Sequence, residues 1–368
     1  MKLRYKVLSG IVVVVALGVL ALGVALSYTS HCGPSPPLPA GATPMKASVH
    51  GCYGPPDVVR YEQIAKPIPA DDEILVRVHA ASVNPLDWHY LEGSPYMVRL
   101  DAGLGKPTDP RLGVDFSGTV ESVGRAVSRF KPGDEVFGGK FGALAEYVAV
   151  REDRAIALKP AAVTHEQAAA VAIAALTALQ GLRDEGHIQA GQAVLVNGAS
   201  GGVGTFAVQI AKSFGAQVTG VCSTHNLQLV RSIGADQVID YTREDVTRGA
   251  QRYDLILDTV STHSLSEYQR ILKPGGVYVM VGSTDTGHWF GWLWRPLQGW
   301  IISPFTAQKF TTIFAELNAK DLGTMAELME SGKVTPVIDR TYRLSESADA
   351  LRYLEKGHAR GKVVVVVE

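Results

Sequence analysis

The chain has 368 residues, with 35 Lys and Arg against 36 Asp and Glu and a formal net charge of −1. At 19% charged and 46% hydrophobic it has ordinary globular composition with room for two domains, and no electrostatic argument for nucleic acid. Three cysteines, Cys32, Cys52 and Cys222, are too few and too scattered for a disulfide framework or a four-thiolate zinc site.

Residues 7–28 carry no charge, and as a helix they would span about 33 Å, enough for a bilayer core. Lys2, Arg4 and Lys6 precede this run, and no Lys or Arg follows until Lys46. The length fits an uncleaved single-pass membrane anchor, residues 1–30, better than a signal peptide cleaved at residues 21–25. By the positive-inside rule the N-terminus would be cytoplasmic and the remainder outside. Residues 31–45 are rich in Pro and Gly without periodicity and read as a tether.

Residues 46–162 are strand-rich, with strands at 73–80, 114–123 and 143–150 and a turn at 131–134. Asn84-Pro85-Leu86-Asp87-Trp88-His89-Tyr90 interrupts them as a loop leading into a short helix. Thr164-His165-Glu166-Gln167 is a capping box that opens an Ala-rich helix to about residue 182. Strands at 193–198, 218–222, 237–240, 254–259 and 277–282 then alternate with helices, which argues for a parallel, doubly wound sheet. Residues 287–300 break the pattern and hold four of the five tryptophans. Such a segment belongs in a substrate cleft, where it would form a hydrophobic lid, at a subunit interface or among lipid headgroups, or else is plain core. A helix at 314–329 and a strand at 361–367 close the chain.

The most informative stretch is 193–204. A short apolar run leads straight into Asn197-Gly198-Ala199-Ser200-Gly201-Gly202-Val203-Gly204, and apolar residues then recur at helical spacing through Phe214. The glycines therefore sit on a strand-to-helix turn. Gly201 lets backbone N–H groups approach a pyrophosphate, Gly204 lets the helix pack closely on the strand, and the helix N-terminus adds positive potential. Ala199 stands where the usual first glycine would be, giving A-x-G-x-x-G.

Taken together, this turn, residues 234–241, Leu272-Lys273-Pro274-Gly275-Gly276 and Asn84-Pro85-Leu86-Asp87 resemble the medium-chain dehydrogenase/reductases. Over residues 46–368 the chain is similar to their zinc-independent quinone oxidoreductases, of the zeta-crystallin and reticulon-interacting type. The resemblance implies an α/β fold in which a GroES-like β domain (46–163, then 306–368) surrounds a Rossmann NADP-binding domain (164–305), here preceded by one N-terminal transmembrane helix. A homodimer is compatible with it, and the membrane segment departs from most of the family.

Other branches of the family bind zinc, through a Cys where this chain has Ala81-Ser82-Val83-Asn84 and a His-Glu pair where it has Val114-Asp115. Asp115 alone does not make a three-ligand site, so no metal is expected. About 20 residues past the glycines an NAD enzyme places an acid on the ribose; here the chain reads Ser223-Thr224-His225-Asn226. The missing carboxylate and the hydroxyl donors of Ser223 and Thr224 favour NADPH, although either residue also serves as a helix cap. A mainly cytosolic cofactor pool conflicts with a catalytic domain outside, so the side of the membrane stays open. By resemblance Tyr241 borders the adenosine phosphate, Ala199–Gly204 the pyrophosphate, and Thr177, Thr259, Val281, Gly282 and Ser283 the nicotinamide.

Without a metal, hydride acceptance must be activated by hydrogen bonding, which suits a quinone or an α,β-unsaturated carbonyl on a small lipophilic substrate. Asn84, Asp87 and His89 are the catalytic candidates: Asn84 by family position, Asp87 as loop orienter or helix cap, His89 as proton donor or packed residue. Trp88 serves equally as pocket floor or as core. The alternatives are a non-catalytic NADPH-binding structural or regulatory protein, and an alcohol or aldehyde dehydrogenase.

Overall fold

The computed structural model describes residues 2–282, 287–289 and 291–367. In chain order the elements begin with helix α1 (Lys2–Ser27), strands β1 (Pro44–His50), β2 (Val59–Ala65) and β3 (Glu73–Val83), and helices α2 (Pro85–Glu92) and α3 (Arg99–Ala102). Strands β4 (Asp115–Val123), β5 (Glu135–Gly139), β6 (Tyr147–Arg151) and β7 (Ile156–Leu158) follow, then α4 (His165–Ala169) and α5 (Ala172–Gln180). Next come β8 (Ala193–Asn197), α6 (Gly202–Ser213), β9 (Gln217–Cys222), α7 (Leu227–Ser232), β10 (Gln237–Asp240), β11 (Tyr253–Asp258), α8 (Leu265–Ile271) and β12 (Leu272–Met280). The chain finishes with α9 (Gly291–Ile302), β13 (Lys309–Thr312), α10 (Ala319–Glu330), β14 (Ile338–Arg343), α11 (Ser347–Glu355) and β15 (Lys362–Val366).

Strands β8 to β13 form a six-stranded, all-parallel sheet in the order β10-β9-β8-β11-β12-β13. Its strands are apolar on both faces because helices cover both, as a parallel sheet requires. Helices α5 and α6 pack one face through Leu176, Leu179, Phe206 and Ile210, all fully buried. The second sheet has seven strands, mostly antiparallel, and takes in the distant C-terminus: β15 pairs with β3, so Val364 lies opposite Ser82. That pairing delivers the start of β15 to the edge of the glycine turn, where Gly361 N–H donates to Ser200 O at 2.9 Å.

Three expectations need correction. Among the described residues no helix is long and apolar enough to cross a membrane, which overturns the single-pass anchor and the membrane location drawn from it. The last turn of α1 is docked on the protein instead. Leu26 is buried, and the Arg99 guanidinium donates to Leu26 O and Tyr28 O at 2.9 and 2.8 Å. The helix expected over 164–182 keeps its Thr164/Gln167 capping box but breaks at Ala170 and Val171 into α4 and α5. From Gly291 the tryptophan segment is the helix α9, and strand β13, which sequence periodicity did not mark, follows it. Cys32 and Cys52, expected to be too scattered for a disulfide framework, form a disulfide 20 residues apart.

At Gly204 a β-carbon would overlap Gly198 O and press on Ala199 Cα. Gly204→Ala should therefore destabilise the fold by roughly 1–3 kcal/mol through overpacking, read as a lowered melting temperature. An unchanged Tm would contradict the close helix–strand contact.

Candidate functional site

The glycine turn is shaped for close approach. Gly198 takes φ +81°, and a β-carbon at Gly201 would meet only Gly198 O, at 3.5 Å. The side facing away from the sheet is thus open to a ligand, and helix α6 begins directly at Gly202. At the end of β9, Asn226 Nδ2 donates to Ser200 Oγ and Ser223 Oγ at 3.0 and 3.2 Å, tying the second strand's end to the turn, while its buried Oδ1 has no partner among the described residues. An orphaned acceptor and an open backbone turn at adjoining strand ends fit a dinucleotide.

Thr224, expected as a free donor, is engaged: its hydroxyl donates to Asp240 Oδ2 at 2.6 Å. Asp240 ends β10, opposite Cys222 in register. So there is an acid beside this strand end, although it comes from the neighbouring strand. Its other oxygen accepts from Thr242 N and Oγ1, and these hydrogen bonds, Thr224's first, hold the carboxyl below the usual range. Arg360, not singled out from sequence, reaches the same corner and donates to His225 O at 3.2 Å. Tyr241 is exposed at the end of β10.

Where β8, β11 and β12 end, Thr259 Oγ1 donates to Asn197 O at 2.9 Å, and Ser261 Oγ to Gly282 O at 2.5 Å. Val281 N–H donates to Asp258 O. Asp258 is fully buried and accepts from Asn197 Nδ2, Tyr278 OH and Ser261 N at 2.9, 2.7 and 2.8 Å, which fixes three strand ends together. Thr177, on α5, donates to Ile173 O. Ser283 lies outside the described residues. In α9, Arg295 donates to Ser261 O at 2.9 Å, while Trp294 and Trp300 are 60% and 74% exposed. The helix is anchored by its arginine, and these two tryptophans are not core.

Opposite the glycine turn lies a cluster that sequence reasoning largely missed. Lys362, 3% exposed at the head of β15, places Nζ on Asn84 Oδ1, 3.3 Å from Asp115 Oδ2 and 3.4 Å from Val83 O. Asp115 is sealed from solvent and also accepts from Ser82 Oγ, Asn84 Nδ2 and Ile173 N, each at 3.0 Å. A buried carboxylate is tolerable only when saturated in this way. A β-carbon on Gly202 would touch Lys362 Cδ at 3.3 Å, so lysine and glycine turn adjoin. One sequence signal was available: a lysine heading a strand of valines is rarely sealed unless paired.

Of the α2 candidates, Asn84 belongs to that cluster. Asp87 reaches it only through Asn84: its Oδ2 accepts Asn84 N–H at 2.7 Å, as an N-terminal cap does, and its buried Oδ1 has no partner among the described residues. Burial, then the charge of Asp115, pushes the Asp87 carboxyl up to about 7. His89 Nδ1 lies 2.8 Å from Ser94 O, so Nδ1 carries the proton, and its ring stacks on Trp88 at 5.1 Å. Ser94 Oγ in turn meets His288 Nδ1 at 2.9 Å, linking α2 to the segment that follows β12.

Comparison with known proteins agrees with this geometry. Residues 70–160 match the alcohol dehydrogenase GroES-like domain, and residues 233–365 match a zinc-binding dehydrogenase domain. The mouse mitochondrial NAD(P)H oxidoreductase RTN4IP1 is 35% identical, over 89% of this chain and 90% of its own. The chloroplastic NADPH-dependent alkenal/one oxidoreductase of Arabidopsis thaliana is 37% identical, over 87% of this chain and 79% of its own. The quinone oxidoreductase of Coxiella burnetii superposes with a TM-score of 0.76 at 29% identity, over 89% of this chain and all of that one. The chain belongs to the medium-chain dehydrogenase/reductases. Within that family it falls in the quinone and enone oxidoreductase branch. The family's zinc does not fit here: Asp115 is already saturated by four donors, and among the described residues no three His, Cys, Asp or Glu side chains are placed to hold a metal.

The state of Asp87 has a consequence for stability. Its carboxyl ionises near 3.8 when exposed and near 7 when folded, so stability falls as pH rises through that window. Asp87→Asn keeps an acceptor for Asn84 N–H and removes the titration. Its melting temperature relative to wild type should climb between about pH 4 and 7, by up to roughly 4 kcal/mol of stability, and then level off. A pH-independent difference would contradict the buried carboxyl.

Proposed function

We propose that this medium-chain reductase uses NADPH to reduce the conjugated double bond of an α,β-unsaturated carbonyl, or a quinone, on a small lipophilic molecule. Relatives named NAD(P)H oxidoreductase and NADPH-dependent alkenal/one oxidoreductase support this reading. The observation that supports the reading is the closeness of Lys362 to Gly202, where an added β-carbon would come within 3.3 Å of Lys362 Cδ, so that the Asn84–Asp115–Lys362 cluster lies beside the glycine turn. NADPH, bound along the glycine turn, supplies the hydride. Gly201 and Gly202 would admit its phosphates, and Ser223 with Arg360 would hold the 2′-phosphate. The Lys362 ammonium adds positive potential beside the cleft, where negative charge collects on the acceptor oxygen. Asp115 holds that ammonium in place, and Asn84, fixed at both ends of its amide, orients the acceptor.

His89 is a positioning residue in this scheme. Its Nδ1–H is committed to Ser94 O, which fixes the ring against α2, and water supplies the proton. His89→Gln should lose less than about tenfold in kcat, whereas removal of a general acid costs about 100-fold or more. A loss of the larger size, with NADPH affinity unchanged, would return His89 to the role of donor.

Two measurements test the rest. NADPH consumption by the full chain should be seen with enones or quinones, and NADP⁺ reduction with simple secondary alcohols should not. Binding without turnover of any acceptor would sink the enzymatic reading. Arg360→Glu should weaken NADPH by about 10- to 100-fold, as expected for loss of a charged hydrogen bond, and leave NADH unchanged. Equal losses for both cofactors would remove Arg360 from the phosphate site.

A further inference from the structure

The Cys32–Cys52 disulfide joins two unlike sites. Cys32 is exposed in the Pro/Gly-rich tether, and Cys52, just past β1, is buried. The tether runs close to the body here: a β-carbon at Gly51 would meet Gly33 O at 3.6 Å. Pro34, Pro36, Pro37 and Pro39 bring no N–H donors to hold it there. Beyond Cys52, the next residues close the C-terminal end of α2. Gly54 N–H donates to Leu91 O at 3.1 Å. The Tyr53 ring packs so tightly on Gly93, which ends α2 at φ +59°, that a β-carbon there would overlap it at 2.7 Å. Arg99, stacked on Tyr53 at 4.6 Å, donates to Gly93 O at 2.8 Å. Helix α2 has only eight residues, and Asn84 caps its other end with its amide in the Lys362 cluster.

Exposed disulfides are the ones that thiols reach, and this one braces the residues on which the end of α2 rests. We propose that Cys32–Cys52 is a redox modification site, opened by a small dithiol, whose state sets how firmly α2 is held and so how Asn84 is placed in the cleft. The dithiol's thiolate attacks the Cys32 sulfur, the Cys32–Cys52 bond breaks, and Cys52 leaves and takes up a proton. The reagent's second thiol then displaces Cys32 as a thiol and closes the reagent's own disulfide. Two electrons and two protons pass to the protein, and the dithiol is the species oxidised. After reduction, Tyr53 and Gly54 hold α2 by packing and hydrogen bonding without a covalent brace behind them. Cys222, buried at the end of β9, takes no part.

The test compares the full chain before and after treatment with dithiothreitol, with thiols counted in each state. Hydrogen exchange is read on the peptide that contains Gly54, and turnover is read with an enone and NADPH. The turnover arm rests on the reductase reading above, whereas the exchange arm does not. Reduction should speed exchange of the Gly54 amide by at least about tenfold, and reoxidation should restore it. Along with it, kcat/KM should fall by about three- to tenfold as Asn84 loses its placement. Cys32→Ser should match the reduced wild type in both readouts and show no response to dithiothreitol. The proposal is overturned if the dithiol leaves the thiol count unchanged, or if Gly54 exchange or kcat/KM is the same in both states. A Cys32→Ser chain that still responds to dithiothreitol would overturn it as well. Should no acceptor be turned over in either state while Gly54 exchange responds as expected, the reading that fails is that of a reductase, and the redox brace on α2 stands.

Discussion

An ammonium and a carboxylate sealed from water impose the central constraint on this molecule. Each alone would cost several kcal/mol to bury, and together they are tolerable only if every remaining donor and acceptor is filled. Lys362 and Asp115 meet that condition by recruiting Asn84, Ser82, the Val83 carbonyl and the Ile173 amide. These partners come from β3, the cap of α2, β4, α5 and β15. The cluster therefore fixes the register between the seven-stranded sheet and the elements that carry the glycine turn. A change at any member leaves an uncompensated group in the interior, so its geometry is stiff where hydride chemistry needs stiffness.

A second buried cation organises the N-terminal side. The Arg99 guanidinium lies between the Tyr53 and Tyr96 rings, at 4.6 and 4.7 Å, and donates to the carbonyls of Leu26, Tyr28 and Gly93. It thus joins the C-terminal ends of α1 and α2, both of which present unsatisfied carbonyls and negative dipole ends. Tyr96 also stacks on His288, which bonds Ser94, so α1, α2 and the segment after β12 form one continuous set of contacts. Helix α1 is in this way a structural neighbour of the cleft.

The readable parts of the sequence were those whose chemistry is local. The glycine turn, the strand–helix alternation and the Thr164 capping box each depend on residues within one or two turns of each other. Lys362 escaped notice because its partner Asp115 is 247 residues away, and pairing of β15 with β3 is a property of topology alone. Asp240 was overlooked for a related reason. The spacing of a ribose acid is counted along β9, while the carboxylate arrives through parallel pairing with β10. The apolar N-terminus was misread because hydropathy records composition and is blind to docking by an arginine more than 70 residues on. In sequence Asp115 stands only at a metal-ligand position, and its pairing with a lysine emerges in three dimensions.

The coupling between Lys362 and Asp115 can be measured by a double-mutant cycle in denaturant unfolding, using Lys362→Met, Asp115→Asn and the double variant. Each single change should cost roughly 3–5 kcal/mol by stranding a buried charge, and the double should cost far less than their sum. Additive losses within about 0.5 kcal/mol would show that the two charges do not depend on one another, and would contradict this account of the site.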